Sequence, residues 1–116
     1  MNISQRIVGN VAVIDLSGRV TLGEGTETLR DKINSLLNQG HRNLILNLSG
    51  VDYVDSAGLG EIVSSYATVR RNGGSLKLVG LTSRIRDLLS ITKLLTVFDT
   101  FDAEQDAVRS FSSVNA

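Results

Sequence analysis

The first half of the chain alternates strand-like and helix-like spacing of apolar positions. Residues 3–8 and 11–16 are short apolar runs joined at Gly9-Asn10, a pair that suits a tight hairpin turn. The second run is apolar on nearly both faces, which is typical of a strand covered on both sides. After a loop at 21–25, apolar residues recur at helical spacing until Gly40, where the helix is predicted to end.

The second half repeats this alternation of strands and helices. Apolar residues follow a 3.6-residue repeat over residues 56–71 and predict a helix there. Thr82 or Ser83 is predicted to cap a further helix. The remaining predicted elements are strands at 43–48, 76–79 and 96–98, a connector at 49–55, and a last helix after Asp102.

This order of elements predicts a single α/β domain over residues 1–116, with a frayed end at 112–116. Strands that alternate with helices of this length are joined by right-handed crossovers, which give a parallel sheet. The hairpin adds the first strand in the antiparallel direction. We therefore expect a mixed, mostly parallel sheet of four or five strands, with the helices packed mainly on one face.

Composition narrows the classes of function. Lys plus Arg and Asp plus Glu both number 12, so the formal net charge is zero and no long-range field favours nucleic acid as a direct partner. The chain has no cysteine, which excludes disulfides and thiolate metal sites. It has one histidine, which argues against a metal site or a histidine relay. These counts predict no metal, no cofactor and no enzymatic activity.

The apolar runs of the chain are short. None approaches the roughly 18 residues that a membrane helix needs, and the first four residues do not resemble a signal peptide. Asn2 stands where N-myristoylation requires glycine. We expect a cytoplasmic domain with no membrane span.

The most informative segment is Asp55-Ser56-Ala57-Gly58-Leu59-Gly60, at the junction of an apolar strand and a helix. Ser56 could cap that helix, although Asp55 could cap it equally well. Two glycines in the first turn cost about 0.5–1 kcal/mol each relative to alanine, which suggests that a partner approaches closely. A phosphate on Ser56 would meet the positive end of the helix dipole and add about −1.5 to −2 charges. A phosphorylatable docking surface and a simple helix cap are the two interpretations.

Enzymatic interpretations of this segment have less support. The nucleophile elbow has the pattern Gly-x-Ser-x-Gly, but Val54 occupies the first glycine position. The single histidine, His41, precedes the third strand instead of following the serine. Asp52 and Asp55 could bind Mg²⁺ or exchange protons, but acidic residues at this spacing more often belong to a solvated turn.

Residues 43–60 resemble the STAS domain, and in particular the bacterial anti-sigma factor antagonists. The likeness lies in Asn-Leu-Ile-Leu-Asn-Leu-Ser-Gly-Val from Asn43 and in Asp-Tyr-Val-Asp-Ser-Ala-Gly-Leu-Gly from Asp52. It extends over nearly the whole chain. Thr21 departs from the pattern because the family usually has an acidic residue there. Lys93 departs because the family often has glycine there.

The resemblance implies a partner switch. In that family the unphosphorylated protein binds an anti-sigma factor that is also a serine kinase, and this binding frees a sigma factor. Phosphorylation of the serine that matches Ser56 ends the binding, and a metal-dependent phosphoserine phosphatase restores it. The implied partner-binding residues are Asp55, Ala57, Gly58, Leu59 and Gly60, with Arg19, Thr21 and Glu24 in the adjacent loop.

STAS domains also occur in transporters and other assemblies. The alternative interpretation is therefore a free-standing accessory subunit of a transporter or another signalling assembly. In that case Ser56 is only a helix cap.

Overall fold

The computed structural model of the chain describes residues 1–112. Within these residues its elements are β1 Asn2–Val8, β2 Val11–Val20, α1 Thr26–Asn38, β3 Asn43–Val54, α2 Ser56–Arg71, β4 Ser75–Val79, α3 Ser83–Ile91, β5 Thr100–Phe101 and α4 Glu104–Ser112. The fraying predicted for 112–116 lies outside the described residues, except for Ser112, which is the last residue of α4.

The strands form one mixed sheet in the order β1-β2-β3-β4-β5. β1 pairs with β2 in the antiparallel direction, and every later pair is parallel. The predicted mixed, mostly parallel sheet is therefore confirmed. Because β2, β3 and β4 run in the same direction, their carboxyl ends and the loops that follow them lie at one end of the sheet.

The core lies on both faces of the sheet, because successive strand residues point to opposite faces. Ile14 and Leu46 belong to an apolar cluster that includes residues of α1, α2 and α3. Val13 and Ile45 belong to a second cluster, which includes Phe111 of α4. Three helices thus cover one face and α4 covers the other, which confirms helices mainly on one face.

β3 is longer than predicted. The connector expected at 49–55 is wrong, because β2 continues to Val20 and pairs with β3 as far as Val54. A Cβ on Gly50 would lie 3.0 Å from the Cβ of Ser17, so glycine lets the two strands approach closely there. Ser49-Gly50 resembles a turn in the sequence, whereas in the sheet Gly50 is a strand residue of β3.

The last strand lies later than predicted. Residues 96–98 do not form a strand, and β5 instead pairs Thr100 with Leu78 and Phe101 with Val79. Phe98 is buried, and the edge of its ring packs against Tyr66 at a centroid distance of 5.0 Å. A short apolar run has the same spacing whether it pairs in a sheet or packs under a helix.

Candidate functional site

Ser56 is the first residue of α2, but it does not cap the helix. Asp55 is the N-cap, and its Oδ1 accepts a hydrogen bond from the N–H of Gly58 at 2.8 Å. Ser56 is exposed, and its hydroxyl has no hydrogen-bond partner among residues 1–112. The interpretation of Ser56 as a helix cap is therefore wrong, and the hydroxyl is open to solvent.

The carboxylate of Asp55 also holds the loop between β2 and α1, residues 21–25, which we call the docking loop after the role that the sequence predicts for it. Its Oδ2 accepts a hydrogen bond from the N–H of Leu22 at 3.1 Å. The pKa of Asp55 lies below its ordinary value, because the N–H groups of Gly58 and, second, of Leu22 stabilise the carboxylate. One side chain thus joins the start of α2 to a loop that lies 33 residues earlier in the chain.

The docking loop is a tight turn of defined shape. The N–H groups of Thr21 and Glu24 each donate to the carbonyl oxygen of the other residue, at 2.9 Å in both directions. Gly23 and Gly25 have φ values of +79° and +101°, in the left-handed region that favours glycine. Leu22 lies at the tip of this turn, and 78% of its surface is exposed.

The two glycines of α2 occupy different surroundings. A Cβ on Gly58 would overlap the carbonyl oxygen of Val20 and lie 2.8 Å from its carbonyl carbon. The packing of α2 against β2 therefore requires glycine at position 58, which is buried. Gly60 is exposed, and a Cβ there would meet nothing within 4 Å. Of the two, only Gly60 leaves open space at the surface.

The other predicted partner-binding residues lie around this junction. Arg19 is exposed, and its guanidinium lies 5.1 Å from the ring centroid of Tyr53. Glu24 is exposed and accepts a hydrogen bond from the amino group of Met1 at 3.1 Å. Ala57 and Leu59 are half-buried. The structure therefore brings the docking loop and the first turn of α2 together at the carboxyl ends of β2 and β3.

Two exposed residues at this junction were not singled out from the sequence. They are Leu22 and Tyr53, the latter with 39% of its surface exposed. The sequence signal for Leu22 was a leucine next to glycine in a polar loop. For Tyr53 there was no such signal, because its exposure depends on the continuation of β3, which the sequence did not indicate.

The structure keeps apart the histidine and the serine that a hydrolase site at this junction would need. His41 precedes β3 and Ser56 follows it, so the two residues lie at opposite ends of a twelve-residue strand. Both oxygens of Asp55 accept backbone hydrogen bonds. Within residues 1–112 no group of three or more His, Cys, Asp or Glu side chains could hold a metal ion. None of the helices in this part of the chain is long and apolar enough to cross a membrane.

Known proteins are similar to this chain in sequence and in fold. The STAS domain model matches residues 2–107. The anti-sigma-B factor antagonist of Bacillus subtilis (strain 168) is 33% identical over 99 residues, which are 85% of this chain and 89% of that protein. The crystal structure of TM1081 from Thermotoga maritima has a TM-score of 0.85 at 25% identity, covering 93% of this chain and 92% of that one.

A further solved structure is similar in fold. The Bacillus cell fate determinant SpoIIAA in its phosphorylated form has a TM-score of 0.74 at 20% identity, covering 95% of this chain and 99% of that one. The family model spans nearly the whole chain, and the relative from B. subtilis is matched over most of its length. The chain therefore belongs to the STAS domain family, among the bacterial anti-sigma factor antagonists.

Proposed function

We propose that this protein is an anti-sigma factor antagonist that acts by binding and not by catalysis. In its unphosphorylated form it binds an anti-sigma factor with serine kinase activity and thereby frees a sigma factor. Phosphorylation of Ser56 ends the binding, and a metal-dependent phosphoserine phosphatase restores it. The exchange takes place in the cytoplasm, without direct contact between this protein and nucleic acid.

The observation that carries the proposal is the free hydroxyl of Ser56. Asp55 caps α2, so modification of Ser56 removes no hydrogen bond from the fold. A phosphate at the first residue of a helix is stabilised by the positive end of the helix dipole, so α2 stays folded. The phosphate adds about −1.5 to −2 charges next to the docking loop, which changes the surface that a partner meets.

The first experiment compares wild type, Ser56→Glu and Ser83→Glu as tagged baits in lysate of the native host, with capture read by mass spectrometry. Ser83 is the matched control, because it is also the exposed first residue of a helix whose cap, Thr82, precedes it. We expect wild type and Ser83→Glu to capture a kinase-like anti-sigma factor, and Ser56→Glu to lose it.

The contradicting outcomes are distinct. Retention of the anti-sigma factor by Ser56→Glu argues against the switch. Equal capture of a transporter or another assembly by all three baits argues for the accessory subunit.

The captured kinase then tests the modification directly. After incubation with ATP, we expect one phosphate on wild type, mapped to Ser56, and none on Ser56→Ala. Ser56→Ala should bind the anti-sigma factor as wild type does, because the hydroxyl has no structural partner. Phosphate on a different residue, or none, contradicts the role of Ser56.

A further inference from the structure

We propose that Leu22 is an apolar anchor for the partner and that Asp55 is the positioning residue that presents it. The inference rests on the proposed function, because its occupant is the anti-sigma factor, which would receive Leu22 in an apolar pocket. It assigns affinity to Leu22 and leaves the on–off control to Ser56.

Leu22 combines an exposed apolar side chain with a restrained backbone. Single apolar side chains at a surface are common and need no function. Leu22 differs because its backbone is restrained on both sides while its side chain is 78% exposed. The restraints are the bond from its N–H to Asp55, the paired bonds between Thr21 and Glu24, and the left-handed Gly23 and Gly25. Together they restrain the backbone that carries this apolar side chain into water, where it contributes nothing to the core.

A second exposed aliphatic residue shows the contrast. Ile91 is 79% exposed, but it is the last residue of α3, where ordinary helix geometry places it. α3 follows β4 in the chain, so Ile91 belongs neither to the docking loop nor to the first turn of α2. Ile91 therefore matches Leu22 in exposure and differs from it in position and restraint.

An anchor that is rigid before binding loses less conformational entropy when it enters a pocket, so it binds more tightly than a mobile one. Interfaces draw most of their binding energy from a few such central residues. Leu22 lies beside the first turn of α2, because Asp55 contacts both segments. A partner that covers Ser56 therefore also meets Leu22.

Asp55 uses one carboxylate oxygen to hold Leu22 and the other to cap α2. In Asp55→Asn the amide oxygen can still cap α2 by accepting from Gly58, since asparagine is a good N-cap. The amide nitrogen would then face the N–H of Leu22, and two donors cannot form a hydrogen bond. The variant therefore keeps the helix cap and releases the docking loop.

Calorimetric titration with the purified anti-sigma factor that wild type captures tests both roles. We expect Leu22→Ala to weaken binding about tenfold or more and Asp55→Asn to weaken it to a similar extent. Ile91→Ala should stay within about twofold of wild type. The double variant of Leu22 and Asp55 should bind no more weakly than the weaker single variant, because both changes remove the same contact.

Each contradicting result overturns one part of this proposal. Wild-type affinity in Leu22→Ala overturns the anchor. Additive losses in the double variant overturn the positioning role of Asp55, and Asp55→Ser repeats that test with a shorter cap that cannot reach both N–H groups. These results differ from a failure of the proposed function, in which wild type itself binds no anti-sigma factor and the inference fails with it.

Discussion

The residue two positions beyond the end of each of the first three helices takes the left-handed backbone conformation, and after α3 that residue is Lys93. It has φ of +63°, where α1 and α2 have Gly40 and Gly73 at +94° and +80°. The hydrogen bonding is the same in each case. In α3 the N–H of Leu94 donates to the carbonyl oxygen of Leu89 at 2.7 Å. Of these three residues, only Lys93 carries a side chain, although the backbone conformation favours glycine.

Lys93→Gly should therefore raise the free energy of unfolding by about 0.5–1 kcal/mol, because glycine adopts this conformation without strain. Urea denaturation measures the change. Gly73→Lys is the reverse control and should lower stability by a similar amount, since a Cβ at Gly73 meets nothing within 4 Å and its cost is conformational. A loss of stability in Lys93→Gly would contradict the interpretation.

Replacing each of the two glycines of α2 by alanine should change the stability of the protein in opposite directions. Gly58→Ala places a Cβ against the backbone of Val20 and should destabilise the protein by about 3 kcal/mol or more. Gly60→Ala is free of contacts and should stabilise it by about 0.5–1 kcal/mol through helix propensity. Thermal unfolding followed by circular dichroism compares the two, and equal shifts would argue against this packing of α2 on β2.

At the level of elements, the link between the docking loop and α2 depends on the charge of Asp55. Its pKa in the folded protein lies below the ordinary value of 3.8, so above that pH the carboxylate is mainly charged and accepts both bonds. As the pH falls through the lowered pKa, the carboxylate is protonated and this contribution to stability is lost.

We expect the amide protons of Leu22 and Gly58 to titrate together with one midpoint below 3.8, measured by NMR between pH 6 and the onset of acid unfolding. Asp55→Asn should abolish both transitions. A transition at Gly58 alone would show that the docking loop is not bound to Asp55 in solution.

A helix or strand could be predicted from the sequence where a local signal marks its start or its end. α2 begins at Ser56 as expected, because an apolar strand, a capping pair and a helical stripe follow one another there. The capping residue could not be chosen, because Asp55 and Ser56 are both good caps. The bond from Asp55 to Leu22 could not be foreseen at all, because it depends on the register of β2 against β3.

At the level of the whole molecule, the second face of the sheet depends on α4 alone among the described helices. Phe111 is 7% exposed and packs there with Val11, Val13, Ile45 and Val79. Phe111→Ala should lower the free energy of unfolding by about 3–4 kcal/mol, because it leaves a cavity and uncovers this face. Denaturant titration measures the loss, and the binding of a dye specific for exposed apolar surface should increase.

Arg109→Ala on the exposed side of α4 is the control for that change. Its ion pair with Asp106, at 3.7 Å, lies at the surface. Such pairs contribute little, so stability should change by less than about 0.5 kcal/mol. If Phe111→Ala and Arg109→Ala lowered stability equally, the loss would come from disruption of α4 itself. It would not come from uncovering the second face of the sheet.

The strand order of the sheet has a consequence for biosynthesis. Because each strand lies beside the one made just before it, a chain that emerges from the ribosome can add strands to one growing edge. Leu22, Asp55 and Ser56 all precede the end of α2 at Arg71, so the residues of the proposed docking surface are made before β4, α3, β5 and α4. A nascent chain that folds in this order carries the proposed docking surface before α4 covers the second face of the sheet.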